Sequence, residues 1–234
     1  MDHPVTSTRS SDGLGNSLAD TREAGRELVG SERIWSGPIF AVDADQVRLG
    51  PAQEPVARQV VVHHDAVAII ALREGPDSSQ PDGAAEILMV RQYRHPVRAC
   101  LWEIPAGLLD VPGEAPAVAA ARELAEETDY VAATWNTLAE FYASPGFTTE
   151  GARIFLAQNL SLLPEERRTP REAEEAEFVP TWVRFDEVLD AVMDGRLHNP
   201  STVLGVLATA QARARGWTEL RPADAPWLRS PESM

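Results

Sequence analysis

The chain has 234 residues, no lysine, one cysteine, and 36 acidic against 21 basic side chains, for a formal net charge of −15. That length buries one sizeable core, or a main domain with a small appendage, and the charge excludes the basic footprint of a nucleic-acid binder. The lone Cys100 excludes an intrachain disulfide or a cysteine-rich zinc site, and no run reaches the roughly 20 apolar residues of a membrane span. With no basic-then-apolar leader, the chain reads as cytoplasmic.

Residues 1–30 are polar and rich in Ser, Gly and Asp, the composition of a disordered segment, with a short turn of helix expected at 22–28. From 31 to 64 come β-prone runs at 33–35, 39–42, 46–49 and 57–62. Gly37-Pro38, Asp43-Ala44-Asp45 and Gly50-Pro51 read as turns between them. So small a unit cannot bury its own apolar face and needs a partner surface. Strong strands follow at 66–72 and 86–93, separated by a Pro/Gly/Ser/Asp-rich loop at 74–83. A short strand at 102–104 leads into Pro105-Ala106-Gly107.

A helix is predicted over 116–128, with Pro116 at a tolerated first-turn position. Strands at 135–142 and 153–158, a charged loop at 164–177 and a strand at 178–184 come next. Helices at 185–194 and 201–215 precede a proline-rich tail from 217 to 234. The alternation of strands and helices over 65–216 predicts an α/β sandwich, of α+β type where the small N-terminal β unit is included.

The stretch from Gly107 to Tyr130 carries the chemistry. At about 100° per residue, Glu123, Glu126 and Glu127 share one sector of the helix, and Val118, Ala121, Leu124 and Ala125 form an apolar stripe opposite. Three carboxylates so close repel one another, and a hard cation converts that repulsion into coordination. Glu114 precedes Arg122-Glu123-Leu124-Ala125-Glu126-Glu127-Thr128 by a fixed interval, and Tyr130 closes the run.

This pattern resembles the Nudix box, with two departures. Gly107 lies one residue further from Glu114 than usual, and Asp129 stands where the family has Gly. That position often adopts the left-handed conformation, which Asp tolerates. Within the superfamily the chain is most similar to the bacterial ADP-ribose pyrophosphatases. The likeness runs through VRQYRHPVRACLWEIPAGLLD (90–110), SPGFTTEGARIFLA (144–157), EAEEAEFV (172–179) and DGRLHNPSTVLGVL (194–207). The resemblance implies an α/β/α sandwich with a small N-terminal antiparallel β domain at 31–64, exchanged across a homodimer. It implies Mg²⁺ or Mn²⁺ held by the Ala106 carbonyl, Glu123 and Glu127, with Glu126 joining when several ions bind. Arg122 then orients a neighbouring carboxylate, and the general base is Glu174 or Glu175.

Arg94, with Arg91 and Arg98 as further candidates, is expected to hold phosphate or the terminal ribose. Arg58 is a candidate contact from the partner subunit, and Phe147 could face the ligand. Trp35 and Phe40 lie where relatives stack adenine, while His63 and His64 read as structural. The implied reaction is hydrolysis of ADP-ribose to AMP and ribose 5-phosphate. The alternatives are a Nudix hydrolase of another nucleoside diphosphate sugar, such as a GDP- or ADP-hexose, and a non-catalytic ADP-ribose sensor.

Overall fold

The computed structural model describes residues 18–22, 26–75, 85–168 and 179–229. β1 (Glu27–Ser36), β2 (Phe40–Arg48) and β3 (Val56–His63) form an antiparallel three-stranded sheet in that order. Glu27 and Leu28 therefore belong to a strand, where the sequence suggested a turn of helix; the expectation for 1–17 and 23–25 lies outside the described residues. The predicted turn at Asp43-Ala44-Asp45 is also absent. These residues continue one strand, paired with Val60, Gln59 and Arg58 on one side and Arg33, Glu32 and Ser31 on the other. The Arg33 guanidinium donates to both oxygens of Asp43, and an acid so paired across strands no longer breaks the strand.

The main sheet is built from β4 (Ala66–Glu74), β5 (Ala85–Arg94), β6 (Ala99–Glu103), β7 (Ala106–Leu108), β8 (Tyr130–Tyr142), β9 (Gly151–Leu162), β10 (Thr181–Arg184) and β11 (Arg221–Pro222). Its order is β10-β5-β4-β9-β8-β11, with β6 on β5 and β7 on β4. Only the β4–β9 pairing is parallel. Helix α1 (Pro116–Thr128) covers one face, and α2 (Phe185–Met193) and α3 (Pro200–Ala214) cover the other. Because side chains alternate along a strand, β4 serves both layers. Ala68, Ile70 and Leu72 enter the core under α2 and α3, and Val67, Ile69 and Ala71 the core under α1. That double burial explains the unbroken apolar run of this strand.

The inner face of α1 is not the Val118, Ala121, Leu124 and Ala125 stripe that helical spacing predicts. The buried residues are Ala119, Ala120, Glu123, Leu124, Glu127 and Thr128, whereas Val118 is 58% exposed. The helix is turned so that its carboxylate edge packs toward β7 instead of facing solvent. Among the described residues no helix is long and apolar enough to cross a membrane.

Two joints secure the appendages. The N-terminal sheet meets the loop before β9 where the Val61 amide donates to the Phe147 carbonyl (2.7 Å) and the Thr149 amide to the Val61 carbonyl (3.0 Å). The C-terminal segment, read from sequence as a tail, is bound into the sheet. Arg221 and Pro222 pair with Thr137 and Asn136, and Arg229 Nε donates to the buried Asp65 carboxylate at 2.8 Å.

Candidate active site

The start of α1 follows from its chemistry. Pro116 occupies the first turn, and a turn closed by the Glu114 amide on the Val111 carbonyl, with Gly113 at φ 77°, absorbs the extra residue of the preceding loop. At the other end Asp129 takes φ 63°, and its amide donates to the Ala125 carbonyl, the left-handed cap expected of this position.

Arg122 gathers the acids of this helix. Its Nε and Nη2 donate to the two oxygens of Glu114 at 3.2 and 3.1 Å, and Nη1 donates to Glu123 at 2.7 Å and Glu126 at 3.1 Å. The hydrogen bond to Glu114, then the charge and hydrogen bond of Glu123, raise the Arg122 pKa above its ordinary value against the opposing cost of burial. The guanidinium therefore stays protonated throughout the physiological range. Glu127 is drawn elsewhere: its carboxylate accepts from the Ala106 amide at 3.2 Å. The strand β7 and the edge of α1 are thus in direct contact. Gly107 makes this approach possible, since a Cβ there would lie 1.9 Å from the Glu123 carboxyl carbon.

Glu123 and Glu127 are buried, with only 9% and 6% of their surface exposed, while Glu126 stays partly open. Carboxylates beside a glycine-lined backbone are the donor set that a hard cation takes, so the residues fit Mg²⁺ or Mn²⁺ in kind. Among the described residues, no three acidic, histidine or cysteine groups are already arranged to hold a metal ion. Instead, three of the acids converge on Arg122.

Arg94, expected to reach phosphate or ribose, is held by Glu103, with Nε at 2.9 Å and Nη2 at 2.6 Å from its two oxygens. Glu103 is only 2% exposed and was not singled out from the sequence. A lone acid inside the apolar run LWEIP was the signal that could have found it. Arg98 takes φ 50° after the short turn His95–Val97 and is exposed, as is Arg91, which pairs across strands with Trp102. Arg58 lies on β3, opposite Asp45, with its guanidinium donating to the Ala57 carbonyl. Phe147 is 55% exposed in the loop joined to β3. Trp35 and Phe40 pack together with ring centroids 4.9 Å apart, and a cavity of about 230 Å³ includes Phe40, Arg33, His63 and His64 in its lining. Glu174 and Glu175 lie outside the described residues.

Three comparisons with known proteins bear on this geometry. The family model described as the NUDIX domain matches residues 62–201. The chain is 40% identical over 208 residues to an ADP-ribose pyrophosphatase of Mycobacterium tuberculosis, covering 89% of this chain and 94% of that protein. It is 35% identical over 181 residues to an ADP-ribose pyrophosphatase of Bacillus subtilis, covering 77% and 90%. A solved structure of an ADP compounds hydrolase superposes with a TM-score of 0.65 at 18% identity, covering 84% of this chain and 99% of that one; it speaks to the fold alone.

Proposed function

The chain belongs to the Nudix family and is a pyrophosphohydrolase, and from that premise we propose that its substrate is ADP-ribose, cleaved to AMP and ribose 5-phosphate. The observation that carries the reading is the packing of the box carboxylates against the 106–107 backbone, in a chain so similar to ADP-ribose pyrophosphatases along most of its length.

The substrate's diphosphate is anionic and repels a nucleophile. The Ala106 carbonyl, Glu123 and Glu127, joined by Glu126 where several ions bind, would hold Mg²⁺ or Mn²⁺, which would supply neutralising charge and lower the pKa of water. Arg122 orients Glu123 and Glu126 through its hydrogen bonds, and Glu114 holds Arg122 from the far side. Glu174 or Glu175 takes a proton from the attacking water. The water oxygen forms a bond to one phosphorus, the bridging P–O bond breaks, and the bridging oxygen leaves on the other phosphate. Arg94, already ordered by Glu103, and Arg98 meet the phosphate or terminal ribose, while Phe147 faces the ligand.

The N-terminal sheet is consistent with a cytoplasmic homodimer in which that sheet is exchanged and brings Arg58 to the partner's site. β1 is exposed along its whole length, although it includes Leu28, Val29, Ile34 and Trp35. A second chain is the natural cover for that surface.

Phosphate release from ADP-ribose, GDP-mannose and ADP-glucose, with Mg²⁺ and a coupling phosphatase, tests the substrate. Preference for ADP-ribose, abolished by chelator, is the expected result. Preference for a hexose conjugate would move the assignment to another nucleoside diphosphate sugar. Binding of ADP-ribose without turnover of any compound would make the protein a sensor.

A further inference from the structure

The motif HNPST at 198–202, at the start of α3, has no part in the chemistry above, yet it reaches the backbone next to the carboxylate site. β6 ends its pairing with β5 at Glu103, whose ladder partner is Val90, and β7 begins its pairing with β4 at Ala106, whose partner is Ala68. Ile104 and Pro105 lie between the two ladders. Pro105 has no N–H, and its carbonyl accepts from the Ile69 amide at 2.8 Å. The Ile104 N–H is therefore the one donor of this crossover, and at a residue 1% exposed it must find a partner.

That partner comes from 98 residues away: the Ile104 amide donates to Thr202 Oγ at 3.1 Å. Thr202 is fully buried. Its hydroxyl donates onward to Asn199 Oδ1 at 3.2 Å, and its own amide donates to the same oxygen at 3.0 Å. Asn199 is thus the N-cap of α3 and also orients the Thr202 hydroxyl. Close approach of the helix depends on Gly205, where a Cβ would lie 2.9 Å from Ile70 Cδ1 and 3.3 Å from Ile104 Cδ1.

We propose that Thr202, oriented by Asn199, is a positioning residue that sets the register of segment 103–107. It thereby places Ala106 against Glu127 and Glu103 against Arg94. One residue before Ile104 is the carboxylate that orders Arg94, and two residues after it is the amide bonded to Glu127. A shift of the crossover therefore moves both contacts together. This proposal rests on the pyrophosphohydrolase reading for its effect on rate, but not for its effect on structure.

The test compares Thr202→Val, which keeps the branched shape and removes the acceptor, with Thr202→Ser, which restores it. Amide exchange of the metal-free protein reads the segment directly, Mn²⁺ affinity by electron paramagnetic resonance reads the site, and ADP-ribose turnover reads the consequence. T202V is expected to exchange about tenfold faster in the peptide spanning 103–107, to bind Mn²⁺ about 10–100-fold more weakly, and to lose kcat and raise KM together, since the Glu127 and Arg94 contacts move with the same segment. T202S is expected to match the wild type in all three. If T202V is too unstable to purify, Asn199→Ala, which keeps the hydroxyl but frees its rotation, is expected to shift exchange and Mn²⁺ affinity in the same direction by less. T202V with wild-type exchange at 103–107 and wild-type Mn²⁺ affinity, changed only in melting temperature, would overturn the proposal. A wild-type protein that leaves ADP-ribose intact, with T202V still differing from it in exchange and Mn²⁺ affinity, would sink the substrate assignment and leave the positioning role standing.

Discussion

The two sheets of this molecule solve the same problem differently. The main sheet is covered by its own helices: β4 and the first half of β9 are buried on both faces, under α1 on one side and α2 with α3 on the other. Among the described residues no helix lies over the N-terminal sheet, and Leu28, Ile34, Trp35 and Ile39 all remain at least 48% exposed. Both contain β-branched and aromatic residues in extended runs. What separates them is the presence of amphipathic helices that follow one strand set and not the other. A region that lacks its own cover must take it from elsewhere, while a region that has it can hold catalytic groups in fixed positions.

The largest expected effect lies at the covered region. Glu127→Gln should lower turnover of ADP-ribose more than about a hundredfold, beyond the range typical of groups that only support metal ligands, with circular dichroism unchanged. An unchanged rate with Mg²⁺ would break the assignment of the carboxylate edge. Phe155, fully buried beneath α1 and edge-on to Trp135, sharpens the contrast in stability. Phe155→Ala should cost about 3–5 kcal/mol in urea unfolding, whereas Ile34→Ala on the open sheet should stay within about 0.5 kcal/mol in a monomer. At concentrations where the proposed homodimer forms, the Ile34→Ala cost should rise and depend on protein concentration, and a cost that stays small at every concentration would leave the sheet uncovered.

Ile34→Asp probes that cover more directly. Light scattering is expected to give twice the 25.5 kDa chain mass for the wild type and the single chain mass for the variant. Equal masses for the two proteins would leave the open sheet without its proposed partner. The smallest effect is expected at the end of α1. Asp129→Gly relieves a left-handed residue and should stabilise by less than about 1 kcal/mol, because Asp is among the residues that tolerate this region. A loss of stability there would mean that the Asp129 side chain does more than occupy the cap.

Much of the site was legible because its signals are local. The box carboxylates, the proline that opens α1 and the left-handed residue that closes it all lie within one helix and its flanks. Helical spacing alone gathers Glu123, Glu126 and Glu127 on one edge. It did not reveal which edge faces inward, since alanine fits either environment and the Gly107 backbone admits Glu123 against it. Arg94 illustrates the same limit. Its charge suggested an anion, but the structure gives it the buried Glu103 across the β5–β6 pair.

The sequence by itself determined the family, the helix that carries the box carboxylates and the strands of the core, because periodicity, caps and motif spacing act over a few residues. Tertiary structure alone decided the pairing of β7 with β4, the bond from Ile104 to Thr202, and the binding of the C-terminal segment to β8 and Asp65. Each of those contacts joins positions well separated along the chain. The physical reason is that a buried polar group must be paired, but its partner is fixed only when packing brings remote segments together.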